Sequence, residues 1–112
     1  MKKKDILELI NSEIASRNTI TGLDESVINV TTNLQNAENG DVVFYKVSQT
    51  EKSIEDFNKR LKDRRPGLIV LNHGAEAFIK TENCIFIDVL KFLNIQKRIL
   101  DQIYPNKQKL KI

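Results

Sequence analysis

Apolar residues recur along the chain at two different spacings, and the spacing predicts the elements. Ile6, Leu7, Ile10 and Ile14 sit at helical intervals among Lys, Glu, Asn and Ser, which predicts an amphipathic helix over about Lys3 to Ser16. Asn18 and Gly22 punctuate the next stretch, and Thr19 to Leu23 has room for a short strand. Val27-Ile28-Asn29-Val30-Thr31 is β-branched and alternating, the pattern of a strand. The stretch Asn33 to Asp41 is polar and closes on Asn39-Gly40-Asp41, a turn signal. Val42 to Val47 then forms a nearly unbroken apolar run, as expected of a strand covered on both faces.

The second half alternates more plainly. Ser48 and Glu51 have the spacing of a capping box, in which a hydroxyl accepts from a backbone donor three residues on and Glu reaches back. Ile54, Phe57 and Leu61 continue a helix over about Thr50 to Asp63, and Pro66-Gly67 stops it. Leu68 to Leu71 reads as a buried strand, Asn72-His73-Gly74 as a loop, Ala75 to Ile79 as a short helix and Cys84 to Ile87 as a further strand. Asp88 is placed to cap a long helix carrying Val89, Phe92, Leu93, Ile99, Leu100 and Ile103, ending near Tyr104-Pro105. Strand and helix in turn predict an α/β fold: a mixed, mostly parallel sheet flanked by helices. The predicted organisation is one domain over 1–105, with 106–112 a Lys-rich linker or the opening of another strand.

With 112 residues, 40% hydrophobic and 29% charged, the chain has the composition of one globular domain, small for an enzyme closing around two large substrates. Its formal charge is +3, but much of the excess lies at the ends, in Lys2, Lys3, Lys4, Lys107, Lys109 and Lys111. Without those lysines the balance turns acidic, which argues against a nucleic-acid partner. The N-terminal lysines are not followed by a continuous apolar segment, so neither a signal peptide nor a membrane partner is expected, and the expected location is the cytoplasm. The single cysteine, Cys84, fits a reducing compartment and reads as a small buried hydrophobe rather than a nucleophile.

Candidate chemistry is sparse. Neither GxGxxG nor GxxxxGK[ST] occurs, and one His and one Cys do not make a His-rich or CxxC zinc site. His73 follows a predicted strand at its carboxyl end, where ligands gather in parallel α/β sheets; it reads as a ligand contact or proton carrier, or as an exposed loop histidine. The segment Lys46 to Thr50 leaves a strand and enters a capped helix. Backbone N–H groups at a helix start attract phosphate, with Lys46 and Lys52 adding charge; an ordinary turn explains the same residues. The basic run Lys59, Arg60, Lys62, Arg64 and Arg65 lies at a helix C-terminus, where cations complement the dipole, and reads as a solvated end or a phosphate contact.

The order of these signals resembles the N-terminal domain of Mur ligases, the ATP-dependent enzymes that add amino acids to UDP-N-acetylmuramic acid in bacterial peptidoglycan synthesis. It is most similar to the ligases adding the third residue and the terminal dipeptide. The resemblance covers roughly residues 20 to 112. It rests on Gly40-Asp41 with the apolar strand after it, and on Ile87-Asp88-Val89 through Ile99-Leu100-Asp101-Gln102-Ile103-Tyr104-Pro105. Thr32-Asn33-Leu34 stands where the family has Asp-Ser-Arg.

The resemblance implies a UDP-sugar-binding module with no catalysis of its own. The UDP moiety would be contacted by Thr32 and Asn33 and by Lys46, Ser48, Gln49 and Thr50. It further implies a parent ligase whose central ATPase domain lies beyond 106–112 and uses ATP and Mg²⁺, cofactors not expected in these residues. The alternative is a stand-alone small α/β interaction or sensor domain.

Overall fold

The computed structural model describes residues 1–104; the expected linker over 106–112 and Pro105 lie outside them. Five strands form one mixed sheet: β1 (Ile14–Arg17), β2 (Asn29–Thr31), β3 (Asp41–Tyr45), β4 (Leu68–Asn72) and β5 (Cys84–Ile87). Their order is β1-β5-β4-β3-β2. The pairs β2–β3, β3–β4 and β4–β5 run parallel, and β1 closes the β5 edge antiparallel. Three helices, α1 (Lys3–Leu9), α2 (Glu51–Leu61) and α3 (Phe92–Ile103), flank it.

Alternation along the central strands divides the core into two. Val42, Phe44, Leu68, Val70, Ile85 and Ile87 face Ile6 and Leu7 of α1, Ile10 just after it, and Ile95 and Ile99 of α3. The opposite set, Val43, Ile69, Leu71, Cys84 and Phe86, packs with Phe57 of α2 and with Leu34, Ala37, Ala75 and Ile79 from the connections. Every residue of β5 and four of the five in β4 are buried, which is why these strands lack a polar face. Pro66-Gly67 leads into β4 under a tight constraint. A Cβ on Gly67 would lie 2.8 Å from the Asn39 carbonyl oxygen, so only glycine lets the β3 and β4 backbones meet there.

Four expectations are corrected. The first helix ends at Leu9; a 3₁₀ turn over Asn11–Glu13 follows, and Ile14 to Arg17 is strand β1. Asn11 and Ser12 favour local backbone bonds over helix continuation, and the open edge of β5 recruits the next residues. Thr19 to Leu23 is no strand. Its backbone is bound by Asn83 instead: the Asn83 N–H donates to Thr19 O at 2.8 Å, and Asn83 Oδ1 accepts from Thr21 N at 2.9 Å. Ala75 to Ile79 makes only a single turn, with the Phe78 and Ile79 N–H groups both on Ala75 O. One turn is an unfavourable nucleus, and the next residues are diverted when Asn18 Nδ2 binds Ile79 O and Thr81 O.

Fourthly, the cap of α2 is Thr50, not Ser48: Thr50 Oγ1 accepts from Ser53 N at 3.2 Å. Lys3, one of three successive lysines at the N-terminus, proves to be 2% exposed. Its ammonium donates to Thr21 O at 2.7 Å and meets Glu25 Oε1 at 3.3 Å and Asn83 Oδ1 at 3.4 Å. Burying a charge requires such a set of acceptors, and this one ties α1, the 19–25 loop and the start of β5 together.

Candidate functional site

The carboxyl ends of β2, β3 and β4 lie side by side, and each continues into a segment with candidate chemistry. After β3 the chain passes through Lys46 to Thr50 into α2. Val47 anchors this loop, 2% exposed and packed in the α2-side core. Asn72, at the end of β4, holds the Val47 peptide at two points: its Oδ1 accepts from Val47 N at 2.8 Å and its Nδ2 donates to Val47 O at 3.0 Å. A side-chain amide thereby extends the β3–β4 pairing one step past the last strand residues.

The loop is then locked to the helix it enters. Ser53 Oγ accepts from Ser48 N at 2.9 Å while Thr50 Oγ1 accepts from Ser53 N. Ser48 and Thr50 are thus brought together through Ser53. Gln49 turns the other way, its Nε2 donating to Gly74 O at 3.4 Å. Glu51 and Lys52 open the helix, where N–H groups have no intrahelical acceptor. Lys46 is exposed and has no ion-pair partner among the described residues.

Thr32 and Asn33 follow β2 and are exposed. The Asn33 N–H donates to Thr31 Oγ1 at 3.0 Å, which bends the chain into a 3₁₀ turn over Leu34–Asn36. No hydrogen bond or ion pair joins these two residues to the Lys46–Thr50 loop. They share the same end of the sheet, one strand away.

After β4 comes a constellation of which only His73 stood out in the sequence. Glu76 accepts from the Gly74 N–H through Oε1, and from Ser16 Oγ at 2.8 Å and His73 Nδ1 through Oε2. Burial pushes the Glu76 carboxyl up. The backbone donors of Glu76 and Gly74, the Ser16 hydroxyl and the His73 ring outweigh that and bring it down to about 2. An ionised carboxylate only accepts, so His73 Nδ1 carries the hydrogen and Nε2 is left without a protein partner among the described residues. The His73 side chain is 62% exposed. The His-x-x-Glu spacing was readable; Ser16, sixty residues away on β1, was not.

Other candidates lie elsewhere. The basic run sits at the far end of α2, beside an open cleft of about 440 Å³ lined by Gln35, Asp56, Lys59, Arg60, Lys62 and Arg64. Arg60 is tethered there by Gln35 Oε1 at 2.8 Å. Cys84 is buried, and burial pushes its thiol up to about 12, so it is inert as a nucleophile. Among the described residues no cluster of three or more His, Cys, Asp or Glu could hold a metal ion. No helix among them is long and apolar enough to cross a membrane. Comparison with models of protein families, with curated proteins and with solved structures finds no match.

Proposed function

We propose that this chain is the substrate-holding N-terminal domain of a Mur-type amino-acid ligase, and that it seats the UDP end of a UDP-N-acetylmuramoyl-peptide across the carboxyl ends of β2, β3 and β4. One observation carries the reading: Asn72 clamps the Val47 peptide, holding the loop between an exposed Lys46, which has no ion-pair partner among the described residues, and the start of α2 at the end of a parallel strand pair. Ligands of open α/β sheets gather at that end, and a helix start with a nearby ammonium suits a diphosphate. Lys46 would meet the diphosphate as a point charge, and Ser48, Gln49 and Thr50 would supply polar contacts from a loop already held in shape. Thr32 and Asn33 would close the site from the neighbouring strand.

Under this reading the domain binds and orients but does not activate. Joining an amino acid to a carboxylate at the expense of ATP needs a phosphate loop and Mg²⁺, which the central ATPase domain of a cytoplasmic parent ligase would provide. Calorimetric titration with UDP and with UDP-N-acetylmuramoyl dipeptide tests the assignment. Weak saturable binding of both, reduced by Lys46→Ala, is the expected result. Absence of heat with either ligand at millimolar concentration would overturn it.

A second reading has an observation of its own. Leu90 and Leu93, at the entrance to α3, are 88% and 79% exposed. Two neighbouring apolar side chains left to water favour a protein-contacting role. A domain that binds neither nucleotide would leave that role standing.

A further inference from the structure

Resting on that nucleotide-binding reading, we infer that His73 is a phosphate contact of the site and that Glu76 is the residue that positions it. His73 stands where the β4 end meets the loop after β3. Its backbone N–H is bound to Ile87 O at 2.7 Å, and Asn72, the residue before it, clamps Val47. Gly74, the residue after it, takes the Gln49 side chain on its carbonyl and has φ +113°, a conformation that a Cβ would strain. The backbone that carries the ring is therefore pinned on both sides beside the loop that holds Lys46, while the ring itself reaches Glu76.

Glu76 does for the ring what a carboxylate does for a metal-bound or catalytic histidine. It takes the Nδ1 hydrogen and fixes the ring's orientation. Glu76 is itself immobilised by the Gly74 N–H and by Ser16 on β1, so the ring leans on a group braced from two elements. Lys80, the other charge at this turn, places its ammonium on Glu76 O at 3.1 Å and leaves the carboxylate to the ring. With Nδ1 committed, the one ring position open to a ligand is Nε2. In the proposed complex the ring meets a phosphate oxygen through Nε2–H, a charge-assisted hydrogen bond. A neutral solvent-exposed histidine would need no such bracing.

The test compares UDP with uridine on the intact chain and on His73→Gln and Glu76→Gln, with ring ¹⁵N spectra of His73 as the second readout. In the wild type, UDP is expected to move the ring nitrogen signals of His73, and uridine is not. His73→Gln keeps a polar donor of similar reach but no charge. It should weaken UDP about tenfold, the scale of one charge-assisted hydrogen bond, and leave uridine unchanged. Glu76→Gln should relax the ring from its Nδ1–H tautomer in the free protein and weaken UDP by a smaller factor, while a thermal melt establishes that the variant is folded. UDP binding with unchanged affinity in His73→Gln, or with His73 nitrogen signals unmoved, overturns the inference and leaves the nucleotide site standing. Absence of UDP binding in the wild type overturns both.

Discussion

Replacing Asn72 by Ala is the most informative single perturbation of the site. The side chain makes two hydrogen bonds to one peptide, 2.8 Å from Val47 N and 3.0 Å to Val47 O, and Val47 is 2% exposed. A net hydrogen bond is worth about 1 kcal/mol, and a buried donor or acceptor left unpaired costs about 1–3 kcal/mol. Two such groups at a partly buried position give a loss of roughly 2–4 kcal/mol, the lower figure applying where water reaches them. At about 4 °C per kcal/mol for a domain of this size, the melting temperature should fall by roughly 8–16 °C. Asn72→Asp separates the two contacts. It keeps an acceptor for Val47 N but sets a carboxylate against Val47 O, so it should be at least as damaging. Urea unfolding gives the stability, and amide exchange at Val47 reports the clamp directly. An Asn72→Ala protein within about 0.5 kcal/mol of wild type, with Val47 still protected, would refute the clamp and the fixed loop built on it.

Acid should weaken the fold through Glu76. Its carboxyl lies at about 2 in the folded chain against an ordinary 4.5, so its stabilisation, roughly 3 kcal/mol, is complete above 4.5 and lost as pH falls towards 2. Urea midpoints of Glu76→Gln should be flatter across that window, and an unchanged slope would contradict the assignment. Lys3→Met keeps the apolar stem but removes the ammonium from Thr21 O, Glu25 and Asn83; about 2 kcal/mol should be lost, with faster proteolysis in the 19–25 loop. Equal stability and equal cleavage would mean that the buried charge ties nothing together. Cys84 should resist thiol reagents in the native chain and react at once in denaturant; native labelling at the rate of a free thiol would contradict its burial.

The interior strands were legible because both their faces are covered. Leu68–Leu71 and Cys84–Ile87 carry unbroken apolar runs whose meaning does not depend on a neighbour, and they sit where the pattern places them. The helices α2 and α3 were legible from periodicity, with ends displaced by a few residues. Strand β1 was not, because Ile10 and Ile14 satisfy a helical spacing, and Ala15 to Arg17 become a strand only when β5 offers its edge. The same division runs through the site. The Lys46–Thr50 loop could be placed from a strand end and a helix cap, both local signals. The clamp from Asn72 to Val47 spans 25 positions, and that from Ser16 to Glu76 spans 60. Contacts across such separations depend on strand order, which no local pattern encodes. Lys3 follows suit: a lysine in a run of three looks solvated until the 19–25 loop closes over it.

The location of the nucleotide decides the central claim. UDP, titrated into uniformly ¹⁵N-labelled chain while amide shifts are followed, should perturb Thr32, Asn33 and Lys46 to Thr50, with His73 and Gly74 beside them, and leave the Arg60–Arg65 end of α2 untouched. Shifts confined to that opposite end, or none at millimolar ligand, would contradict it.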